Sequence, residues 1–438
     1  MIKKLVLVFI AAFAIHSYGQ EGTASPYSFY GIGNLKFKGT VENRSMGGLS
    51  IYTDSIHVNL RNPASYAGDN VNIFPFNGES RPVKFSVGGG YTSTDLKANS
   101  GSDKSSSTTF DYLALSIPMG KFGFGFGLLP YTSVGYKLES LNEEENIENR
   151  FRGKGGLNKV FFGLGYQLAK GLTIGADIQY NFGNIQNSTI EYQYDNGVPI
   201  QYQTRENNRS DLSGLNFNLG LSYKRLLNEK LELVSGITYA PESLLNSKNQ
   251  KSFSTITINS STDAEFVRNT LEVDLEPLGL LETDLILPSR FSAGIGVGMS
   301  RKWFIGAEYV FRNTSNLRSA TSTTNPTIYE DASTISLGGF FIPQYNSFSS
   351  FLKRTVYRAG MRFEKTGLII NNEPIKEFGI SFGVGLPVGD ARLLSNANLG
   401  FEIGKRGTTN NNLIQENFIN FQLSLSLNDI WFQKRKYD

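Results

Sequence analysis

The chain of 438 residues contains no cysteine and only two histidines, His16 and His57. Without cysteine there can be no disulfide, no thiolate metal site, no cysteine nucleophile and no lipid-anchored N-terminal cysteine. Two histidines can hardly build a multi-histidine metal site and leave little scope for a Ser-His dyad. We therefore expect no metal, no cofactor and no enzymatic activity.

Charge is scarce as well, because charged residues make up 18% of the chain and the formal net charge is +3. Nucleic acid is not an expected partner without a strongly basic face. The 46 glycines and 13% aromatic residues argue against both a disordered chain and a helical bundle. The length suits two or three soluble domains or one large closed sheet.

Long apolar runs are also missing. The apolar stretch Leu5 to Ile15 has 11 residues, whereas a transmembrane helix needs about 20. It follows two lysines and precedes the small residues Ser17 to Gly19, which predicts a signal peptide at residues 1–19 with cleavage near Gly19. A short N-terminal anchor is the alternative. An exported chain of this kind is either soluble or a membrane barrel.

From about residue 80 onwards, large apolar residues alternate with Gly, Ser and Asn. The alternation is clear in Leu215, Phe217, Leu219 and Leu221, and again in Phe378, Ile380, Phe382 and Val384. Period two predicts strands with two different faces. The second face carries few charges and would make a poor exterior for a soluble protein. A soluble β-sandwich is the structural alternative. An outer-membrane barrel instead directs its apolar face to lipid.

The alternation predicts fourteen strands, at 83–96, 107–118, 121–138, 157–168, 172–186, 212–223, 231–240, 289–299, 303–313, 333–342, 354–370, 373–386, 396–405 and 415–427. Connections are short after even strands and long and polar after most odd ones, as in barrels with periplasmic turns and extracellular loops. Segments 343–353 and 371–372 break this rule. We predict an all-β fold, a monomeric fourteen-stranded antiparallel transmembrane β-barrel over residues 81–432.

Residues 20–80 do not alternate in this way. A fourteen-stranded barrel is too wide to be filled by its own side chains, so these residues are predicted to form a hatch inside the lumen. A separate extracellular or periplasmic domain is the alternative.

Several short motifs resemble FadL-type outer-membrane transporters, and more closely their PorV-like relatives from type IX secretion bacteria. They are Ser45 to Leu49, Asn62 to Ser65, Leu129 to Ser133, Leu287 to Phe291, Phe382 to Val388 and Leu427 to Phe432. The short basic tail 433–438 departs from the many barrels that stop at the last strand.

The resemblance implies an N-terminal hatch and the passage of a hydrophobic molecule sideways into the membrane through a gap in the wall. The hatch candidates are Met46, Gly47, Gly48, Asn62, Pro63 and Ala64, which could also serve only to fold the plug. Pro130 marks a candidate wall kink or lateral opening, because proline cannot donate to a strand ladder. An ordinary bulge is the alternative.

Three arginines on the lumen-facing parity, Arg290, Arg358 and Arg362, could hold a ligand carboxylate. The alternative is pairing with lumen acids such as Glu308 or Glu402. His57 is expected to be structural. The acidic loop around Glu143 to Glu148 could conceivably bind calcium, but solvation is the simpler interpretation. Trp431 and Phe432 are expected in the periplasmic aromatic girdle.

Two functions follow for a Gram-negative outer-membrane barrel in contact with lipid. The first is movement of a hydrophobic small molecule across or laterally into the membrane. The alternative is a non-transporting subunit of a larger machine for secretion, protein delivery or barrel assembly, with protein partners. The apolar connection 241–288 suits either a ligand funnel or a docking surface.

Overall fold

The alternating segments form a closed barrel of fourteen antiparallel strands in the computed structural model, which describes residues 22–68, 83–259, 261–315, 328–388 and 395–429. The ring closes where the first wall strand pairs with the last, from Val83 with Asp429 to Lys97 with Gln415. The expected all-β fold is thus confirmed. No helix in the described ranges is long and apolar enough to cross a membrane.

The strands are β1 (Asn34–Leu35), β2 (Val83–Ala98), β3 (Gly101–Met119), β4 (Phe122–Pro130), β5 (Thr132–Leu141), β6 (Ile147–Ala169), β7 (Leu172–Glu191), β8 (Tyr194–Asp195), β9 (Val198–Pro199), β10 (Gln203–Leu226), β11 (Leu231–Ala240), β12 (Ser243–Ile258), β13 (Glu265–Val273), β14 (Glu282–Leu287), β15 (Arg290–Met299), β16 (Trp303–Arg312), β17 (Ile328–Tyr329), β18 (Ala332–Phe341), β19 (Val356–Ile370), β20 (Glu373–Val388), β21 (Ser395–Arg406) and β22 (Gln415–Asp429). The helices are α1 (Val41–Arg44), α2 (Phe351–Arg354) and the 3₁₀ turns Pro26–Phe29, Pro63–Tyr66 and Asn410–Asn412.

Three of the fourteen wall strands are interrupted beside a proline. β4 and β5 form the third wall strand, β11 and β12 the seventh, and β14 and β15 the eighth. The interruptions fall beside Pro130, Pro241 and Pro288. Since proline has no N–H to give to a neighbouring strand, each marks a place where the wall can change direction.

The lipid-facing side of the wall carries the large apolar residues. On β10, Phe217 and Leu219 are 49% and 52% exposed, whereas Asn216 and Asn218 between them are 7% and 0% exposed. In a soluble protein this order would be reversed. The inversion is that of a barrel surrounded by hydrocarbon with polar groups turned to its lumen.

Several segments expected as long polar loops are strands instead. β3 begins at Gly101, β6 at Ile147 and β10 at Gln203, and the connection after β11 holds β12, β13 and β14. Backbone pairing does not need an apolar face once a strand has risen into water, so the sheet continues beyond the alternation. The tight turn at Asn371 and Asn372 is present, with positive φ angles of 50° and 63°.

Residues 22–68, called the hatch below, lie inside the barrel against lumen-facing glycines of the wall. A Cβ atom added at Gly165 would lie 2.9 Å from the carbonyl oxygen of Pro63, and one at Gly175 would lie 2.5 Å from the backbone nitrogen of Ala64. The small residues of the second face therefore make room for a second layer of chain. The ring of Tyr66, which is 1% exposed, packs against Gly125 and Gly163 of the wall.

Apolar residues of the hatch complete the core on the lumen side. Met46, Leu49 and Ile51 pack in one cluster with Phe304 and Phe340 of the wall. The expected signal peptide at 1–19, the girdle residues Trp431 and Phe432 and the tail 433–438 lie outside the described residues, as do residues 69–80 of the predicted hatch range.

Leu219→Arg places a charge on the lipid face of β10. We expect it to lower the free energy of unfolding from lipid vesicles by about 2–4 kcal/mol, since a cation near the bilayer midplane is poorly solvated. Urea unfolding of the reconstituted protein measures this. Asn207→Arg in the polar part of the same strand is the control, with an expected change within about 0.5 kcal/mol. Equal losses in both variants would contradict the assigned lipid face.

Candidate functional site

The first hatch motif forms a helix end that fits closely against the wall. Helix α1 ends at Arg44 with Ser45 as its C-cap, and Gly47 and Gly48 follow with φ angles of 68° and 91°. Residues with a side chain rarely adopt such angles. A Cβ at Gly47 would also lie 2.6 Å from the backbone nitrogen of Met361 in β19. The Gly47 N–H donates to Ser381 Oγ at 2.9 Å.

The second hatch motif both turns the chain and ties it to the wall. Asn62 Oδ1 accepts from the N–H of Ala64 at 3.0 Å and so caps the 3₁₀ turn that begins at Pro63. Its Nδ2 donates to the carbonyl oxygen of Leu221 in β10 at 3.0 Å. The residues predicted from both motifs thus fold and anchor the hatch, and a further functional role for them stays a prediction.

Buried carboxylates of the wall bind arginines and one backbone N–H of the hatch. Glu308 in β16 accepts from the N–H of Ser50 at 2.7 Å and lies 3.1 Å from Arg61. Glu402 in β21 pairs with Arg44 at 2.7 Å. Charge-assisted bonds of this kind are stronger than neutral ones.

Further contacts distribute the anchoring around the ring. Ser28 Oγ donates to the carbonyl oxygen of Gly135 in β5 at 3.1 Å, and Ser25 donates to Glu416 in β22. Tyr27 donates to the carbonyl oxygen of Ile414, just before β22. The hatch is therefore bonded to the wall on several sides, and not suspended from one.

His57 belongs to a polar group at one end of the hatch. Its Nδ1 lies 2.8 Å from Asp54 Oδ2, and Lys84 Nζ of β2 donates to the carbonyl oxygen of Asp54 at 2.7 Å. Burial raises the pKa of Asp54, but attraction to His57 and Lys84 outweighs it and holds this pKa below its usual range. No cluster of three or more metal-binding side chains occurs in the described part of the chain.

Arg290 and Arg362 line one luminal cavity, whereas Arg358 lines another. Arg362 bonds to three carboxylates, those of Glu364 at 2.9 Å, Glu377 at 2.5 Å and Glu402 at 2.9 Å. Arg358 donates to Asn398 Oδ1 at 3.2 Å. Arg362 therefore pairs with lumen acids, which was the alternative to binding a ligand carboxylate.

Arg290 differs from the other two. Its one hydrogen bond among the described residues is to Asn218 Oδ1, at 3.5 Å. It lines a luminal cavity of about 270 Å³ together with Lys38 and Lys159. The alternation in the sequence also places Lys159 on the lumen-facing side of its strand, because Lys159 directly precedes the outward-facing Val160. Lys159 was nevertheless not among the predicted site residues.

The wall is incomplete beside Pro130. β4 pairs with β3 only from Leu113 to Met119, and among the described strands the rest of β3 pairs with β2 alone. β5 continues on the far side of the gap and pairs with hatch strand β1, Asn34 with Ser133 and Leu35 with Thr132. The third wall strand is therefore interrupted beside Pro130, and hatch strand β1 occupies part of the gap.

The space behind this gap is small and polar. A cavity of about 120 Å³ is lined by hydroxyl groups such as those of Thr94 and Ser106 and by the charged groups of Asp111, Arg406 and Glu416. Leu35 and Phe37 also line it, but an apolar solute gains little hydrophobic free energy from a lining that is mostly polar. Whether Pro130 marks a functional opening stays a prediction.

Glu308→Gln removes the carboxylate that holds Ser50 and Arg61. We expect a loss of about 3–5 kcal/mol in the free energy of unfolding, because Arg61 stays buried without a counter-charge. Limited proteolysis should also cut within residues 22–68. Glu364→Gln is the matched control, because its bonds to Arg312 and Arg362 stay within the wall. Equal exposure of the hatch in the control would show that these bonds do not anchor it.

The solved structures similar to this chain include two proteins described as toluene transporters and one described as a FadL homologue. The toluene transporter TodX of Pseudomonas putida is 15% identical, with a TM-score of 0.58 over 91% of this chain and 99% of that one. The toluene transporter TbuX of Ralstonia pickettii is 16% identical, with a TM-score of 0.55 over 90% and 99%. A FadL homologue of Pseudomonas aeruginosa is 11% identical, with a TM-score of 0.55 over 91% and 99%.

Identities this low show the fold alone, which is the FadL-type barrel. The closer tie to PorV-like relatives stays a prediction. No protein among the curated sequences matches the chain. A family model does match, and it spans residues 1–438. With its FadL-type outer-membrane barrel, this chain belongs to the BamG family.

Proposed function

We propose that the protein is a non-transporting barrel subunit of an outer-membrane machine that serves barrel assembly. The observation that carries this proposal is the anchoring of the hatch by buried bonds to Glu308, Glu402 and Glu416. A transported molecule would have to displace the hatch or pass beside it, and each buried charge pair broken on the way would be costly. Membership of the BamG family also favours a role in barrel assembly.

The extracellular extension of the sheet supports a role in contact with other proteins. β13 pairs with β12 alone among the described strands, so one edge of β13 keeps free backbone groups. It also presents Phe266, Val267 and Leu271, which are 53%, 49% and 67% exposed. Free edges with exposed apolar residues are surfaces on which other chains add strands.

Lateral transport of a hydrophobic small molecule is the second candidate. The gap between β3 and β5 beside Pro130 favours it, as does the likeness to barrels described as toluene transporters. The polar lining behind the gap, with Asp111 and Arg406, opposes it. Both candidate functions need the same barrel wall. They differ in whether the hatch has to move, so an experiment on the hatch distinguishes them.

A disulfide can lock the hatch across the gap without touching the bonds described above. A Cβ atom at Gly22 would lie 3.6 Å from Cβ of Ser133 in β5, close to the average Cβ separation of a disulfide. Since the chain has no cysteine, Gly22→Cys/Ser133→Cys forms a single defined crosslink.

We expect depletion of the protein to lower the amounts of other folded outer-membrane barrels in quantitative proteomics. The oxidised double variant should restore them as fully as the wild type and the single variants do, because a subunit does not need a moving hatch. If depletion leaves the other barrels unchanged, while the crosslink abolishes toluene uptake that reduction restores, the transport candidate replaces this proposal.

A further inference from the structure

The luminal cavity of about 270 Å³ contains more positive than negative charge. Lys38 comes from the hatch, Lys159 from β6 and Arg290 from β15, and all three line it. Lys159 is 3% exposed. Its ammonium lies 4.1 Å from the centre of the Tyr131 ring and has no hydrogen bond or ion pair to any described residue. Lys38 Nζ is buried and has no hydrogen-bond partner.

Glu364 and Glu377 also line the cavity, but both are paired with arginines of the wall. The remaining nearby carboxylate, that of Asp177, is bonded to neutral groups. Asp177 accepts a hydrogen bond from Asn218 Nδ2 at 2.8 Å and another from the amide of Gln179. It forms no ion pair within the described ranges. Lys36 lines the cavity as well and has no ion pair within the described ranges, so four positive charges without an ion pair stand against the one negative charge of Asp177. The networks around Arg362 and Glu308 contain no comparable excess, so the imbalance is local.

Loss of protons can remove only part of this excess. Burial lowers the pKa of Lys38 to about 7; Asp177 opposes this shift and repulsion by Arg290 and Arg61 adds to it. An arginine side chain, however, keeps its proton in proteins. An isolated charge out of water is very costly unless it is paired. Arg290 is half-buried and has no ion pair within the described ranges, so a bound anion would supply the counter-charge that these residues do not.

We propose that Lys38, Lys159 and Arg290 form a binding site for a phosphate-type oxyanion. The guanidinium group supplies a planar pair of donors that fits two oxygens of such an anion, and the two ammonium groups supply point charges for the others. A tetrahedral oxyanion thus matches three cations on different elements better than a halide does.

The rest of the cavity allows two sources of this group. Leu287 and Val310, which are 3% and 7% exposed, form part of the wall. A water molecule takes about 30 Å³ in the liquid, so the cavity can hold a free phosphate with several waters or a phosphate that carries a short apolar chain. The shared chemistry is the oxyanion, and the two sources are separable by experiment.

The site also joins the hatch to the barrel. Lys38 belongs to the hatch, whereas Lys159 and Arg290 belong to two different wall strands. An anion between them would turn mutual repulsion into attraction. Binding should therefore raise the melting temperature of the whole chain, as for any ligand that binds the folded state alone. This inference does not depend on the proposed role in barrel assembly.

The test uses the full chain purified in a non-ionic detergent without phosphate. Equilibrium dialysis with radiolabelled inorganic phosphate measures binding, and thermal unfolding is followed with inorganic phosphate or with octyl phosphate. We expect saturable binding and a raised melting temperature. A stronger effect of inorganic phosphate identifies the free ion, and a stronger effect of octyl phosphate identifies an amphiphile. No binding and no shift with either probe overturns the proposal.

Variants locate the binding. Lys159→Met/Arg290→Met should weaken phosphate binding roughly tenfold or more, since charge-assisted hydrogen bonds are lost. Lys154→Met, an exposed position in the same strand, is the control and should bind as the wild type does. Unchanged binding in the double variant overturns the assignment to this cavity. If the double variant does not migrate as a folded barrel on unheated gels, Arg290→Lys, which keeps the charge but not the planar donors, replaces it with an expected smaller loss.

Discussion

A ring of fourteen strands encloses more space than its own inward side chains can fill, and the rest of the structure follows from this constraint. The wall strands pair along most of their length, which satisfies their backbone groups, but beside Pro130 part of β3 has a partner on one side only among the described strands. The hatch fills the space that the wall encloses. Its backbone approaches the wall because the lumen face carries glycine where a soluble sheet would carry a core side chain, as at Gly165 and Gly175.

A filler made of separate chain must also be held in place. Apolar packing of residues such as Met46 and Leu49 contributes area, but packing alone does not fix one orientation. The buried carboxylates Glu308 and Glu402 supply direction, because each accepts bonds from hatch groups at particular positions. Buried ion pairs are weak sources of net stability, yet removal of one partner is costly. The anchoring therefore opposes displacement more than it favours folding.

The sequence allowed the barrel to be predicted because lipid and lumen impose opposite demands on neighbouring residues. It did not allow the strand ends to be predicted. Above the lipid the alternation fades while the backbone pairing continues, so Gly101 to Ser106 resembled a loop and is part of β3. The pairing of Arg362 and the isolation of Arg290 were also beyond reach, because both depend on register across distant strands. By contrast, the alternation alone was enough to place Lys159 on the lumen-facing side of its strand, and the prediction omitted this residue.

The glycines of the lumen face have an effect on the opposite side of the sheet. A Cβ at Gly338 would lie 2.7 Å from the carbonyl carbon of Met46, and one at Gly360 would lie 2.6 Å from its carbonyl oxygen. At this place a single thickness of peptide groups separates the hatch backbone from the acyl chains outside. Any bending of β18 and β19 would therefore press on the hatch backbone at Met46 and Gly47, because no side chain lies between the two layers.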